Sequence, residues 1–263
     1  MQNCVISLKT ETKRREHIQQ EFNKQNIHFD FFDAITPEYN QEIAKKLKIH
    51  IENLLLTQGE ISCLLSHISL WKKAIDENMD YIAIYEDDIH IGQQVAQFLN
   101  QSNWIPKDCD IIKLEAFYQH VFVSRSEQIR LKDDRALYVL KSKHVGAAGY
   151  ILSQHAAKFL LEDVQNNFSL KPLDHIIFED YIFNQELKVF QILPAICIQD
   201  DRKIDFDKNL YSALEIERRT RFKSQTKKQG FIFKIKKELL RVFLQLLKIK
   251  NTILYQRKKI GLR

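Results

Sequence analysis

The amino-acid sequence predicts an α/β domain with a mainly parallel sheet, and three observations carry that reading. Short apolar, strand-like runs alternate with helical stretches along most of the chain. One run, Tyr81-Ile82-Ala83-Ile84-Tyr85, is apolar throughout, as a strand buried on both faces should be. It follows a stretch in which Ile61, Leu64, Leu65, Ile68, Trp71 and Ile75 recur at the helical period.

Taken in order, Val5-Ile6-Ser7-Leu8 reads as a first buried strand. A polar helix follows from about Thr12 to Lys24, with Thr10 or Thr12 as its cap and Ile18 and Phe22 as an i, i+4 apolar pair. His28 to Phe32 reads as a second strand, and Pro37 opens another helical piece. The long helix spans about Gln58 to Asn78, and the strand after it stops at Glu86-Asp87-Asp88. Further strands are expected at Ile111 to Leu114, at Ala136 to Leu140, and, after a flexible turn at Gly146, through Gly149 to Leu152. Ser153 caps a helix that reaches about Leu161. A helix from about Leu173 to Glu186 and a strand from Val189 to Leu193 complete a Rossmann-type sheet with flanking helices.

A chain of 263 residues with 44% apolar residues can bury a full core. Only 6 Gly and 4 Pro exclude collagen-like or linker-rich architecture. Cys4, Cys63, Cys109 and Cys197 are far apart and lie among apolar neighbours, which reads as buried free thiols in a reducing compartment. The N-terminus lacks a basic segment followed by an apolar one, and no uncharged run approaches the ~18–20 residues a membrane-spanning helix needs. A cytoplasmic protein is the expectation.

Charge divides the chain in two. Residues 1–217 hold 24 basic and 33 acidic residues, a net −9, whereas residues 218–263 hold 16 basic residues and Glu238, a net +15. The basic tail interleaves Phe, Ile, Leu and Val with Lys234, Lys236, Lys237, Arg241 and Lys248. That is the pattern of an interfacial membrane helix, so residues 218–263 are expected to associate with an anionic membrane surface.

Glu86-Asp87-Asp88 is the clearest candidate for chemistry. Ligands of open α/β sheets bind beyond the carboxyl ends of strands, and three adjacent carboxylates are costly there without a cation or donors. Hard oxygen ligands suit Mg²⁺ or Mn²⁺; a solvated acidic turn is the alternative. Ser66 and His67 lie within the apolar face of the long helix, where a histidine is ordinarily a satisfied core residue. Glu60 reads as an acid favoured by the helix dipole. Arg14, between Lys13 and Arg15, suits a phosphate or a solvated helix face. Asp174 is an N-cap or a general base. No nucleophile elbow, P-loop, GxGxxG or zinc spacing is present.

Ordered blocks then carry a resemblance. Val5-Ile6-Ser7-Leu8 with Arg14-Arg15 is followed by Phe31-Phe32-Asp33-Ala34 and by Leu56-Thr57-Gln58-Gly59-Glu60. Cys63-Leu64-Leu65-Ser66-His67, Leu70-Trp71, Glu86-Asp87-Asp88 and Gly149-Tyr150-Ile151-Leu152-Ser153 come next. The Asp174 to Phe178 segment and Pro194-Ala195-Ile196-Cys197 with Gln199 close the series. Over residues 3 to 217 these blocks resemble glycosyltransferase family 25, above all its bacterial lipooligosaccharide galactosyltransferases.

The resemblance implies a GT-A-like fold and an inverting transferase that uses a UDP-sugar and Mn²⁺ or Mg²⁺. It implies that Ser7, Leu8, Arg14, Glu86 and Asp87 contact the nucleotide and that Asp88 and Glu86 hold the metal. Asp174 is then the base, with Glu179 and Asp180 as neighbouring candidates, and Ser66, His67, Gly149 and Tyr150 contact substrate. Ala147 stands where the family has threonine, so a hydroxyl contact is lost there.

The expected activity is transfer of galactose from UDP-galactose to a lipooligosaccharide core sugar through a β-1,4 linkage. UDP-glucose is the alternative donor, because nothing in the sequence fixes the epimer. A nucleic-acid-binding protein would use the basic tail, but the rest of the chain is acidic and the tail interleaves bulky aliphatics rather than a series of stacking aromatics. A membrane adaptor without catalysis is the third class. Localisation on the cytoplasmic face of the inner membrane follows from the leading reading.

Overall fold

The computed structural model describes residues 1–52, 54–117, 120–184, 186–202 and 254–263. The first half comprises β1 (Gln2–Ser7), α1 (Thr12–Asn23), β2 (Asp30–Asp33), α2 (Asn40–Leu47), α3 (Gln58–Asp76), β3 (Tyr81–Glu86), β4 (Ile89–Ile91) and α4 (Ala96–Leu99). The second comprises β5 (Ile111–Lys113), β6 (Glu115–Ala116), β7 (His120–Arg130), β8 (Ala136–Leu140), β9 (Gly149–Ser153), α5 (Gln154–Asn166), α6 (Leu173–His175), β10 (Val189–Leu193), β11 (Cys197–Gln199) and β12 (Gln256–Lys259).

The α/β class is observed. A large sheet runs in the order β12-β7-β8-β10-β5-β9-β3-β1-β2, and a small one in the order β4-β11-β6. Among the described residues, six strands of the large sheet share one direction, while β9, β8 and β12 run against them. The sheet is therefore mixed but mainly of one direction, and β2, β1 and β3 form its parallel block.

Both faces of β1 and β3 are buried, which explains their apolar runs, while β2 at the edge stays half-exposed. Cys4, Ile6, Ile82 and Ile84 face a core shared with α3 and α5, whereas Val5, Ala83 and Tyr85 face Ile18 and Phe22 of α1. Helix α3 begins with a capping box in which Thr57 Oγ1 accepts the Glu60 N–H at 3.1 Å and Glu60 accepts the Thr57 N–H at 2.9 Å. Leu64, Leu65, Ile68 and Trp71 are fully buried, each aliphatic side chain contributing about 1.5–3 kcal/mol.

Two local expectations are corrected, and one strand is added. Helix α1 starts at Glu11 with no side-chain cap, so neither Thr10 nor Thr12 bonds its first turn. The helix expected over 173–186 breaks into α6, a wide turn over Ile176–Asp180 and a single 3₁₀ turn over Tyr181–Phe183. Phe178 is the cause: its φ of −110° leaves the helical region, and its carbonyl accepts the His144 N–H at 3.1 Å. A tertiary bond outcompetes the helical one. Strand β7 had no counterpart in the sequence reading, because its second half is polar and solvated.

The basic stretch over 218–253 lies outside the described residues. The residues that follow it belong to the main sheet: β12 pairs antiparallel with β7, and Ile260 is fully buried. The buried guanidinium of Arg135 donates to the carbonyls of Pro194 at 2.5 Å, Gln93 at 2.9 Å and Ala195 at 3.1 Å, beside the final turn of chain. Among the described residues, no helix is long and apolar enough to cross a membrane.

Gly149 opens β9 where that strand passes Cys197 and Tyr85. A Cβ there would lie well inside the van der Waals radius of the Cys197 sulfur and 3.3 Å from the Tyr85 ring. Gly149→Ala is expected to destabilise the fold by about 1–3 kcal/mol through overpacking. Urea unfolding should show Cys197→Ala recovering part of that loss in the double variant; strict additivity would mean that the two sites do not meet.

Candidate active site

The carboxyl ends of β1 and β3 lie side by side, with Ile6 in register with Glu86. Beyond them opens a cleft of about 330 Å3 whose walls include Ser7, Leu8, Arg14, Pro37, Cys63, Glu86, Asp87 and Asp88. A second, narrower cavity of about 90 Å3 is lined by Glu60, Cys63, Glu86, Asp88, Gly146, Ala147, Asp174, Gln199 and Arg202. The two share Cys63, Glu86 and Asp88. The acid cluster thus stands at a junction of two chambers.

Each acid has a different partner. Arg14, from the first turn of α1, donates to Asp87 Oδ1 at 2.7 Å in a largely buried pair. Burial opposes the Arg14 charge, but Asp87, Asp88 and Glu11 outweigh it and hold its pKa above the ordinary value. Gln199 of β11 donates to Glu86 Oε2 at 3.1 Å and to Asp88 Oδ1 at 3.4 Å. The amide is fixed in that sense by Arg202, whose Nε donates to Gln199 Oε1 at 3.1 Å and whose guanidinium lies 3.4 Å from the centre of the Phe117 ring.

Burial, with the nearby charges of Asp87 and Asp201, pushes the Asp88 carboxyl up to about 6 against the pull of Arg14 and Gln199. The donor set fits a hard divalent cation: Asp88 and Glu86 present oxygens to one space, while Asp87 is engaged by Arg14. Behind the turn, Asp200 donates its N–H to the Asp88 carbonyl at 2.8 Å and holds His90 Nε2 at 2.7 Å.

The narrow cavity has a loop, residues 145–148, tied down by buried charge. Lys113 donates to the Val145 carbonyl at 3.1 Å and to that of Gly146, and pairs with Glu115 at 3.3 Å. Burial lowers the Lys113 pKa against the attraction of Glu115 and Asp174. Gly146 has φ of +97°, and a Cβ there would stand 2.7 Å from the Glu115 carboxylate, so glycine is required twice over. The Gly146 N–H donates to Asp174 Oδ2 at 3.0 Å.

Asp174 lines this cavity, and Glu179 and Asp180 do not. Glu179 is held by His175 at 2.5 Å and Lys143 at 3.3 Å; Asp180 is paired with Lys171 at 2.7 Å on the surface. Ser7 and Leu8 border the large cleft as expected. Ser66 reaches it only as buried wall, since its hydroxyl donates to the Ser62 carbonyl at 2.8 Å and accepts the Ile35 N–H at 2.9 Å.

Gly149 and Tyr150, expected to touch substrate, lie behind the wall, because both side-chain positions of β9 point into core. Tyr150 acts instead on His67, its hydroxyl 2.9 Å from His67 Nδ1. Lys113, Glu115 and Arg202 were missed from the sequence, having no motif around them. Gln199 stood in the quoted blocks without a role, and Glu60 stood there only as a helix-dipole acid.

An α/β domain with a two-chambered cleft and a carboxylate junction beyond its parallel strands places a ligand site where open α/β sheets bind their ligands. Residues 1–177 match the model of glycosyltransferase family 25, described as an LPS biosynthesis protein family, and the chain belongs to that family. It is a glycosyltransferase, and the family implies a nucleotide-sugar donor.

A candidate glycosyltransferase of Haemophilus influenzae is 42% identical over 243 residues, covering 91% of this chain and 84% of its own. The lipooligosaccharide biosynthesis protein lex-1 of the same species is 34% identical, covering 92% and 91%. The lacto-N-neotetraose biosynthesis glycosyltransferase LgtE of Neisseria meningitidis is 36% identical, covering 76% and 74%.

Burial lowers the His67 pKa from 6.5 to about 3, and burial with the charge of Lys113 takes His144 well below 6.5. Both are neutral in the fold, whereas the unfolded chain takes up their protons near pH 6.5. Their stabilising contribution is therefore whole above that pH and shrinks on acidification. Asp88 acts in the opposite sense between pH 3.8 and about 6, where the fold binds the extra proton. Urea unfolding of the metal-free protein should lose stability between about pH 6.5 and 4. His67→Gln should flatten that loss by up to ~1.4 kcal/mol per pH unit; an unchanged slope would count against a neutral buried imidazole.

Proposed function

We propose that this glycosyltransferase moves galactose from UDP-galactose to a core sugar of lipooligosaccharide, inverting the anomeric centre and forming a β-1,4 linkage. The observation that carries this reading is the meeting of the two cavities at Glu86 and Asp88. A donor lying in the larger chamber would bring its reacting carbon to that junction, and an acceptor hydroxyl would enter from the smaller one. Relatives named for lipooligosaccharide and lacto-N-neotetraose biosynthesis support an oligosaccharide acceptor.

Roles follow from position. Ser7, Leu8 and Arg14 border the nucleotide, and the planar guanidinium of Arg14, bonded to Asp87, suits recognition of a diphosphate. Asp88, with Glu86, would hold Mn²⁺ or Mg²⁺. Such a cation offsets the charge of the departing nucleoside diphosphate. Asp174 uses one oxygen to hold the Gly146 N–H, which leaves the other to take the acceptor proton. Displacement of the nucleotide by the activated hydroxyl in one step inverts the sugar, and no covalent sugar–enzyme bond is formed. Alignment of the two reactants at the junction supplies the remaining acceleration.

Steady-state kinetics test the site. Asp174→Asn should lower kcat about 10²–10⁴-fold with the donor KM little changed, and Asp88→Ala should abolish stimulation by Mn²⁺. Full activity of either variant removes that residue from the mechanism. A donor screen with a defined acceptor should favour UDP-galactose, with product anomeric configuration read by NMR; turnover of UDP-glucose alone would reassign the donor.

Docking on the cytoplasmic face of the inner membrane completes the proposal. Its support is the net charge of +11 over residues 218–253 (12 basic residues and Glu238), the part of the basic tail that precedes β12, together with the aliphatic residues between the charges. Surface docking would raise the effective concentration of a lipid-anchored acceptor. Replacing Lys234, Lys236, Lys237 and Arg241 with Gln should sharply reduce sedimentation with anionic vesicles, each charge being worth about 1 kcal/mol. Equal sedimentation of the parent and the variant would put the membrane contact elsewhere.

A further inference from the structure

His67 is fully buried in α3, and its Nε2 has no hydrogen-bond partner. An unpaired buried polar atom is destabilising, so its presence in the cleft wall asks for a reason. Tyr150 lies 2.9 Å from both Trp71 Nε1 and His67 Nδ1. The indole nitrogen can only donate, so it occupies a lone pair of the Tyr150 oxygen. Among the described residues, His67 Nδ1 is then the acceptor in reach of the phenol proton. Nδ1 therefore accepts, and the ring proton resides on Nε2.

That Nε2–H faces Glu86 Oε1 at 3.9 Å. The separation is too long for a hydrogen bond, but Glu86 is 28% exposed at the cleft and a small rotation of its side chain closes the gap. Its other oxygen is held by Gln199 at 3.1 Å. We propose that His67 is a positioning residue for Glu86: its Nε2–H, aimed by Trp71 and Tyr150, takes hold of Oε1 when the donor nucleotide and cation bind.

This proposal rests on the reading of Glu86 as a contact to the donor nucleotide or its cation. A neutral donor suits the task. An imidazolium at that place would cancel the carboxylate charge that the cation needs, whereas two neutral N–H donors, from His67 and Gln199, fix the side chain and leave its charge intact. Cys63 completes a group whose ligand atoms all lie within 4.8 Å of one another. A soft metal there would require Nε2 without its proton and would leave the Tyr150 hydroxyl proton without an acceptor.

Two measurements test the assignment. In ¹⁵N-histidine-labelled protein without metal, NMR should find His67 with a protonated Nε2 and an acceptor Nδ1, and Tyr150→Phe should erase the preference. The reverse tautomer in the parent protein overturns the proposal without any variant having to fold. Calorimetry with UDP and Mn²⁺ then asks what the N–H does. His67→Asn, which places its amide near Nδ1, should weaken binding about tenfold, the size of one hydrogen bond to a charged group. His67→Gln, whose amide nitrogen falls near Nε2, should restore most of it.

In a Glu86→Gln background the His67→Asn change should have no further effect. If Glu86→Gln alone leaves binding of UDP and Mn²⁺ intact, the reading of Glu86 fails. If Glu86→Gln weakens binding and His67→Asn has the same effect in both backgrounds, the site stands and the positioning role of His67 is refuted.

Discussion

Glu86, Asp87 and Asp88 stand where β3 emerges from a core buried on both faces, and like charges that close repel strongly where water is scarce. The architecture of the cleft is an answer to that repulsion. Arg14 comes to Asp87 from α1, and Gln199 comes to Glu86 and Asp88 from β11. One contribution depends on the crossover between β1 and β2, the other on the small sheet that pairs β4 with β11. Because neither partner is local, the carboxylates are tolerated only when both sheets have formed. Fold and site are coupled through electrostatics: Gln199 donates its amide to Asp88, and the charge of Arg14 acts on the same carboxylate.

What the sequence reveals of this arrangement is whatever depends on short-range pattern. The α3 stripe, the apolar β3 run and the abrupt acids after it are legible, because burial on one stripe or on both faces leaves a period in the residues themselves. Arg14 is legible as a cation in the first turn of a helix, whereas Asp174, expected as an N-cap, sits inside the first turn of α6 behind Pro172 and caps nothing. The structure separates Asp174 from Glu179 and Asp180 by a criterion that spacing does not contain, namely which carboxylate faces the cavity.

Other features are invisible for definite reasons. The Lys113–Glu115 pair spans the end of β5 and the start of β6, strand positions where charge ordinarily means solvent. Strand β12 follows a long basic stretch, and its alternation of exposed and half-buried residues carries no hydrophobic signature. The break at Phe178 is set by His144, more than thirty residues earlier in the chain, so no local propensity announces it. Gly149 and Tyr150 form a recognisable block, yet their position behind the cleft wall is a fact of packing alone.

Tyr150 joins these two classes of feature. Its hydroxyl bonds Trp71 and His67, and His67 Nε2 faces Glu86 in the wall of the larger cleft. Its ring meets Phe178 edge to face at 6.0 Å, and Phe178 lies 4.1 Å from the Lys113 ammonium that holds the 145–148 loop. The same loop fixes Asp174 through the Gly146 N–H. A transferase must hold donor and acceptor in one alignment while keeping water from taking the acceptor's place. A single buried tyrosine bonded toward one chamber and packed toward the other gives both chambers a common reference. The break in the helix after Asp174 is then part of that device, since an unbroken helix would keep the Phe178 carbonyl for its own ladder and lose the bond to His144 that seats the segment.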